Sequence, residues 1–247
     1  MISYLRVEIV RMFRNTRFVI FTIALPVAFY LLFAGTSKGT ETVSGDSMSV
    51  KIYLMVSMAA YGAVGAALTT TGQRLAIERK SGWLKQLQVT PLSAWSVIAA
   101  KTISAMVLSL PALLAVSAAG YLFEGVRLDA GEWAVMVALM VVATLPFAAL
   151  GTLIGSMFSA DASQPVTLIC YFALSIVGGL WMPTSSLPKA LRTVSDWLPS
   201  NRFAEIGRSI VAGHTPSAAA FLILAAWSLG LGALAVNAYR RTTVAVS

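Results

Sequence analysis

Charge is scarce in this sequence. Only 11% of its residues are Asp, Glu, Lys or Arg, against roughly 25% in an ordinary soluble domain. Cysteine and histidine occur once each, as Cys170 and His214. A lone cysteine excludes an internal disulfide. A single histidine, without paired cysteines or an H-E-x-x-H run, does not supply the three or four ligands of a usual zinc site. His214 sits between Gly213 and Thr215 and reads as a loop histidine. No G-x-x-x-x-G-K-[ST] run is present, so the chain holds no nucleotide site of that kind. No G-x-S-x-G elbow is present either, and nothing supports Ser/His/Asp chemistry with His214 as base.

Apolar residues fill the space that charge leaves. They make up 57% of the chain, and the mean hydropathy is +0.79, which indicates several membrane spans. The net charge is +8. The basic residues lie beside apolar runs, so they point to anionic headgroups and membrane topology, not to nucleic acid. Residues 1–17 carry Arg6, Arg11, Arg14 and Arg17 around a stripe of Leu5, Ile9, Met12 and Phe13. That pattern fits an interfacial amphipathic helix; a plain positive flank before a span is the other reading. Apolar runs at 18–34, 50–72, 95–123, 133–157, 165–181 and 216–239 are expected to cross the bilayer as six helices. Pro26, Pro111 and Pro146 fall inside them, where proline kinks but is tolerated. Lys101, near the inner end of the third run, where that run begins, is expected to snorkel to the headgroups.

Lysine and arginine bias sets the orientation. Six spans place both ends of the chain on one side, with Arg74, Arg79, Lys80, Lys85, Arg240 and Arg241 joining the four N-terminal arginines. The opposite side holds Lys38, Lys51, Arg127, Lys189, Arg192, Arg202 and Arg208. The richer side, with both termini, is expected to be cytoplasmic. Residues 182–215 are too polar to span, yet Leu187, Leu191, Val194 and Leu198 keep helical spacing, as do Phe203, Ile206 and Ile210. They read as two short helices at the outer surface that dip into the bilayer, or as a structured external loop.

The deep portions of all six runs lack charge, which disfavours a carrier driven through a buried carboxylate. A pump of this build needs its energy from another chain. Residues 74–101 are the longest charged and amphipathic patch, with Glu78 as their one acid. Trp83, Leu84 and Leu87 form an apolar ridge at helical spacing. Such a ridge can fit a cleft on a soluble partner or rest in the headgroups with Trp83 as anchor.

The stretch ERKSGWLKQLQVTPLSAWSVIAAK resembles the signature of type 2 ABC exporter permeases. Glu78, Arg79, Gly82, Leu87, Thr90, Pro91 and Leu92 match as they stand. Lys80 departs where the family usually has an acid, and Trp83 where a small polar residue is common. Those departures bear on the fine geometry of docking. A second stretch, WMPTSSLPKALRTVSDWLPSNRFAEIGRSI, is similar to the family's proline-rich aromatic segment between spans five and six, through Pro183, Leu187, Pro188, Leu198, Pro199 and Arg202.

The resemblance covers essentially the whole chain. It implies an all-α membrane protein of one transmembrane domain: six spans, an interfacial elbow helix at 1–17, a cytoplasmic coupling region at 78–92 and external re-entrant helices within 182–215. It implies a permease in the plasma membrane of a bacterium or archaeon that binds no cofactor. Two copies, as a homodimer or a heterodimer, work with two copies of a separate ATPase that uses ATP and Mg. Glu78, Arg79, Lys80, Gly82, Trp83, Leu84, Leu87, Thr90 and Pro91 are then the ATPase-coupling residues. Spans one and five are the family's usual interface, which makes Phe21, Phe29, Phe172 and Trp181 candidates for lining the pathway. The expected cargo is an amphiphilic small molecule, a drug, antibiotic or lipid. Export of polysaccharide, or a non-transporting accessory or sensory role, are the alternatives.

Overall fold

The computed structural model describes residues 2–37, 42, 48–83 and 94–244. Among them the fold is all helical, and the one β contact is an isolated bridge between Thr42 and Ser49. The helices are α1 (Ile2–Phe13), α2 (Thr16–Thr36), α3 (Val50–Lys80), α4 (Ala94–Phe123), α5 (Ala130–Val142), α6 (Leu145–Met157), α7 (Ala160–Val177), α8 (Lys189–Trp197), α9 (Pro199–Val211) and α10 (Ala218–Val244), with a 3-10 turn at Thr184–Ser186. Among the described residues, five stretches are long and apolar enough to cross a membrane: Val50–Lys80, Trp95–Phe123, Ala130–Met157, Ala160–Val177 and Ala218–Tyr239. A further apolar stretch, Thr22–Thr36, lies in α2 and is shorter.

The bundle is built around α3. Lipid is as apolar as leucine, so helices in a membrane associate through close packing of small side chains. α3 supplies Ala59, Ala60, Gly62, Ala63, Ala66 and Ala67, all buried, and 83% of its apolar window is covered by neighbours, against 17% for α7 and 22% for α10. α2, α4, α6, α7 and α9 all pack on it. Gly62 faces Pro26 of α2 and Ala112 of α4. Gly155 of α6 faces the backbone of Gly72 so closely that a Cβ there would lie 2.5 Å from the Gly72 carbonyl oxygen.

Several boundaries differ from the sequence expectation. α3 does not stop near Gly72. It runs on through Lys80 for 31 residues, about 46 Å at 1.5 Å per residue, well beyond a hydrocarbon core of about 30 Å. Its last turns are therefore a rigid extension of the span. The run 133–157 is two helices, α5 and α6, broken at Ala143–Thr144. Pro146, in the first turn of α6, can neither donate to the preceding turn nor clear the carbonyl four residues back. Thr144 instead turns its hydroxyl to the Val141 carbonyl at 2.6 Å. α7 begins at Ala160, ahead of the expected Pro165, because Ser159 caps it by accepting from the Ala162 amide at 3.3 Å. In 182–215, α9 packs on α3, α5 and α10 with Phe203, Ala204 and Ile206 buried. α8 leaves Leu191, Val194 and Trp197 exposed.

Candidate functional site

α1, α3 and α4 meet at the end of the bundle that carries the N-terminal helix and the last turns of α10. Lys101 of α4 donates to Glu8 Oε1 of α1 at 3.1 Å and to the Glu78 carboxylate of α3. Arg74 pairs with Glu78 one turn along α3 at 3.5 Å and reaches Glu8 at 3.9 Å. Arg11 donates to Glu78 at 3.5 Å. Glu8, Glu78 and Lys101 are 2%, 1% and 2% exposed. Charges so sealed must be paired, since each alone would cost several kcal/mol of desolvation. The knot has that form because Arg74 and Glu78 share a face of α3, while Glu8 and Arg11 share a face of α1. Lys101 therefore does not snorkel to headgroups: two carboxylates within reach draw its ammonium inward.

Glu8 escaped the sequence reading. The signal was available, because Glu8 is the one acid among the first seventeen residues, as Glu78 is among residues 74–101. An isolated acid amid arginines is a candidate for an internal partner.

The other coupling candidates divide sharply. Arg79 turns toward α6 and donates to the carbonyls of Gly155 (2.9 Å), Ser156 and Phe158 (3.3 Å). These are orphan acceptors at a helix C-terminus, where a cation is favoured. Lys80 makes an exposed pair with Asp161 at 3.2 Å. Gly82 has a φ of 75°, the left-handed region that glycine enters freely, and it turns the chain after α3. Trp83 is half-buried against Leu75, Val97, Ile98, Val236 and Tyr239, with the Arg11 guanidinium 5.8 Å from its ring centroid. Leu84, Leu87, Thr90 and Pro91 lie outside the described residues.

At the opposite end, three of the four pathway candidates come together. Phe29 lies 5.3 Å from Trp181, and Phe172 6.2 Å from it, between ring centroids. Tyr61 and Tyr171, which the sequence reading had not singled out, complete the cluster: they stack at 4.5 Å, and the Tyr171 hydroxyl donates to the Tyr61 carbonyl at 3.0 Å. Phe21 lies in α2, on the same helix as Phe29. Of the external segment, Pro183 opens the 3-10 turn, Leu187 closes it and Pro188 starts α8. Leu198 is the joint between α8 and α9. Pro199 occupies the first turn of α9, where its missing N–H is no loss. Arg202 donates to the Asp196 carbonyl at 2.7 Å and pairs with Glu205. Among the described residues, no three His, Cys, Asp or Glu side chains gather as metal ligands.

An all-helical, multi-pass frame with a sealed ion knot at one end and an aromatic cluster away from it has the build of a membrane permease. The chain belongs to the ABC-2 type transporter family, which it matches over residues 2–211. It is also similar to a Bacillus subtilis (strain 168) protein named "Putative transport permease YvfS", at 29% identity over 222 residues, 90% of this chain and 89% of that protein.

Proposed function

We propose that the chain is the membrane half of an ATP-driven exporter, with six spans and both termini in the cytoplasm, coupled to a separate ATPase through residues 78–92. The observation that carries this reading is the buried knot of Glu8, Glu78 and Lys101. It lies at the base of the coupling segment and lashes α1, α3 and α4 together. A force applied just beyond Trp83 is thus delivered to three helices as one body, because a packed contact moves as a unit. Arg79 carries the same displacement to α6. Membership of the ABC-2 family supports an ATPase partner.

The sparsely covered α7, with Leu168, Ile169, Phe172 and Ile176 exposed, supports a face for a second permease copy. The aromatic cluster between α2, α3 and α7 then borders the pathway, and an amphiphilic small molecule is the cargo that its apolar surface suits. The test is co-purification with the ATPase, followed by ATP hydrolysis with and without a hydrophobic compound. The complex should form and be stimulated, and replacement of Trp83, Leu84 and Leu87 by alanine should detach or uncouple the ATPase. Normal capture and normal stimulation with that variant would refute the docking role.

A further inference from the structure

Beside the ion knot lies a hollow of about 360 Å³, lined by Arg11, Asn15, Thr70, Gln73 and Arg74 among others. We propose that it binds the negatively charged head group, phosphate or carboxylate, of an amphiphile whose tail remains in the bilayer. The inference deepens the export reading and rests on it only for the naming of cargo.

The charge balance favours an anion. Arg11, Arg74 and Lys101 are three cations against the two carboxylates Glu8 and Glu78, which leaves one positive charge over. Glu8 and Glu78 are not among the residues that line the hollow, whereas Arg11 and Arg74 are. Arginine presents a planar fork of donors that matches phosphate and carboxylate oxygens. The Arg11 side chain is 52% exposed, so it can turn to a ligand while Lys101 and Arg74 hold the carboxylates.

A buried donor stands beside the two arginines. Thr70 is 5% exposed, it lines the hollow, and its hydroxyl has no hydrogen-bond partner among the described residues. Leaving a buried hydroxyl unpaired costs about 1–3 kcal/mol, a cost that a head-group oxygen would remove once the Thr70 side chain rotates its hydroxyl toward the hollow. Gln73 adds a polar amide and links the hollow to α7 through Gln164, to whose Oε1 it donates at 3.2 Å. The hollow lies where the corner between α1 and α2 meets the end of α3, with Ile77 as its apolar wall. An amphiphile's head group and tail separate at such a boundary.

The purified permease alone should bind dihexanoyl phosphatidylglycerol or decyl phosphate about tenfold more tightly than dihexanoyl phosphatidylcholine, measured by titration calorimetry. Arg11→Gln should abolish that preference. Thr70→Val, which changes no charge, should weaken the anionic probes about threefold and leave the zwitterionic probe unchanged. Equal affinity for both head groups, or a preference that survives Arg11→Gln in a variant with wild-type melting, would overturn the proposal. Two further arms distinguish the source of the head group. A phospholipid retained one-to-one in native mass spectra through ATP turnover identifies a resident lipid. ATP-driven movement of decyl phosphate, lost in Arg11→Gln, identifies cargo. Because the binding assay contains no ATPase, its failure leaves the coupling role untouched, and loss of coupling leaves the binding result standing.

Discussion

Lys101 and Glu78, from separate helices, form an ion pair that is sealed from solvent on both sides. Removing one partner of an isolated buried pair costs about 3–5 kcal/mol; here Arg74 and Arg11 still face Glu78 and Glu8 still faces Lys101, so the loss should approach the lower end of that range. Lys101→Met should therefore lower the melting temperature in detergent sharply, and Glu78→Gln should do the same. The double variant should lose less than the sum of the two, and a double-mutant cycle measures the difference. Additive losses would mean that the pair does not act as one.

Arg79 and Lys80 are neighbours with opposite expectations. Arg79 satisfies three carbonyls at the end of α6, so Arg79→Met should cost about 1–2 kcal/mol. It should also speed amide exchange in the last turn of that helix. Lys80→Ala removes an exposed pair with Asp161 and should cost less than about 1 kcal/mol. Equal effects on melting would contradict the assignment.

The crossing of α3 and α6 has no room for a side chain at Gly155. A Cβ there meets the Gly72 carbonyl oxygen at 2.5 Å and Leu75 Cβ at 2.8 Å. Both backbone and core would have to shift, and overpacking of this kind costs about 1–3 kcal/mol or more. Gly155→Val should give reduced yield and a broadened profile in size-exclusion chromatography. By contrast Gly232→Val, at a position with nothing within 4 Å of its Cβ, should behave like the wild type.

α8 carries a strongly amphipathic pattern whose apolar members, Leu191, Val194 and Trp197, are exposed. A helix of this kind lies in the interface with its apolar face toward lipid. In a background where Trp197 is the sole tryptophan, its fluorescence should be quenched by lipids brominated near the headgroup more than by lipids brominated at the chain end. Quenching by aqueous iodide alone would place the helix in water.

Much of the frame was legible because hydropathy reports solvent directly: the apolar runs fall largely within helices, the run 133–157 in two of them, and the lone histidine stands exposed beside Gly213. The break at Thr144 was hidden, because Pro26 and Pro111 sit in uninterrupted helices while Pro146 starts a new one. Proline position alone does not tell a kink from a break. The end of α3 was also hidden, since a charged helix extending past the membrane looks like a loop to a hydropathy reading. Glu8 and Lys101 stand 93 residues apart, and no local pattern pairs them. The aromatic cluster was half legible: Phe29, Phe172 and Trp181 stood out, but Tyr61 and Tyr171 join them only through the packing of α3 on α7.

On the proposed function, an outside motor grips the chain just past the ion knot, on the side that holds the termini. The most direct test is membrane-impermeant maleimide labelling of Ser81→Cys, an exposed position at the end of α3, with Cys170 replaced by alanine. No labelling is expected in intact cells, with labelling in inverted vesicles and protection there when the ATPase is bound. Labelling from the outside of intact cells, or full labelling with the ATPase in place, would contradict it.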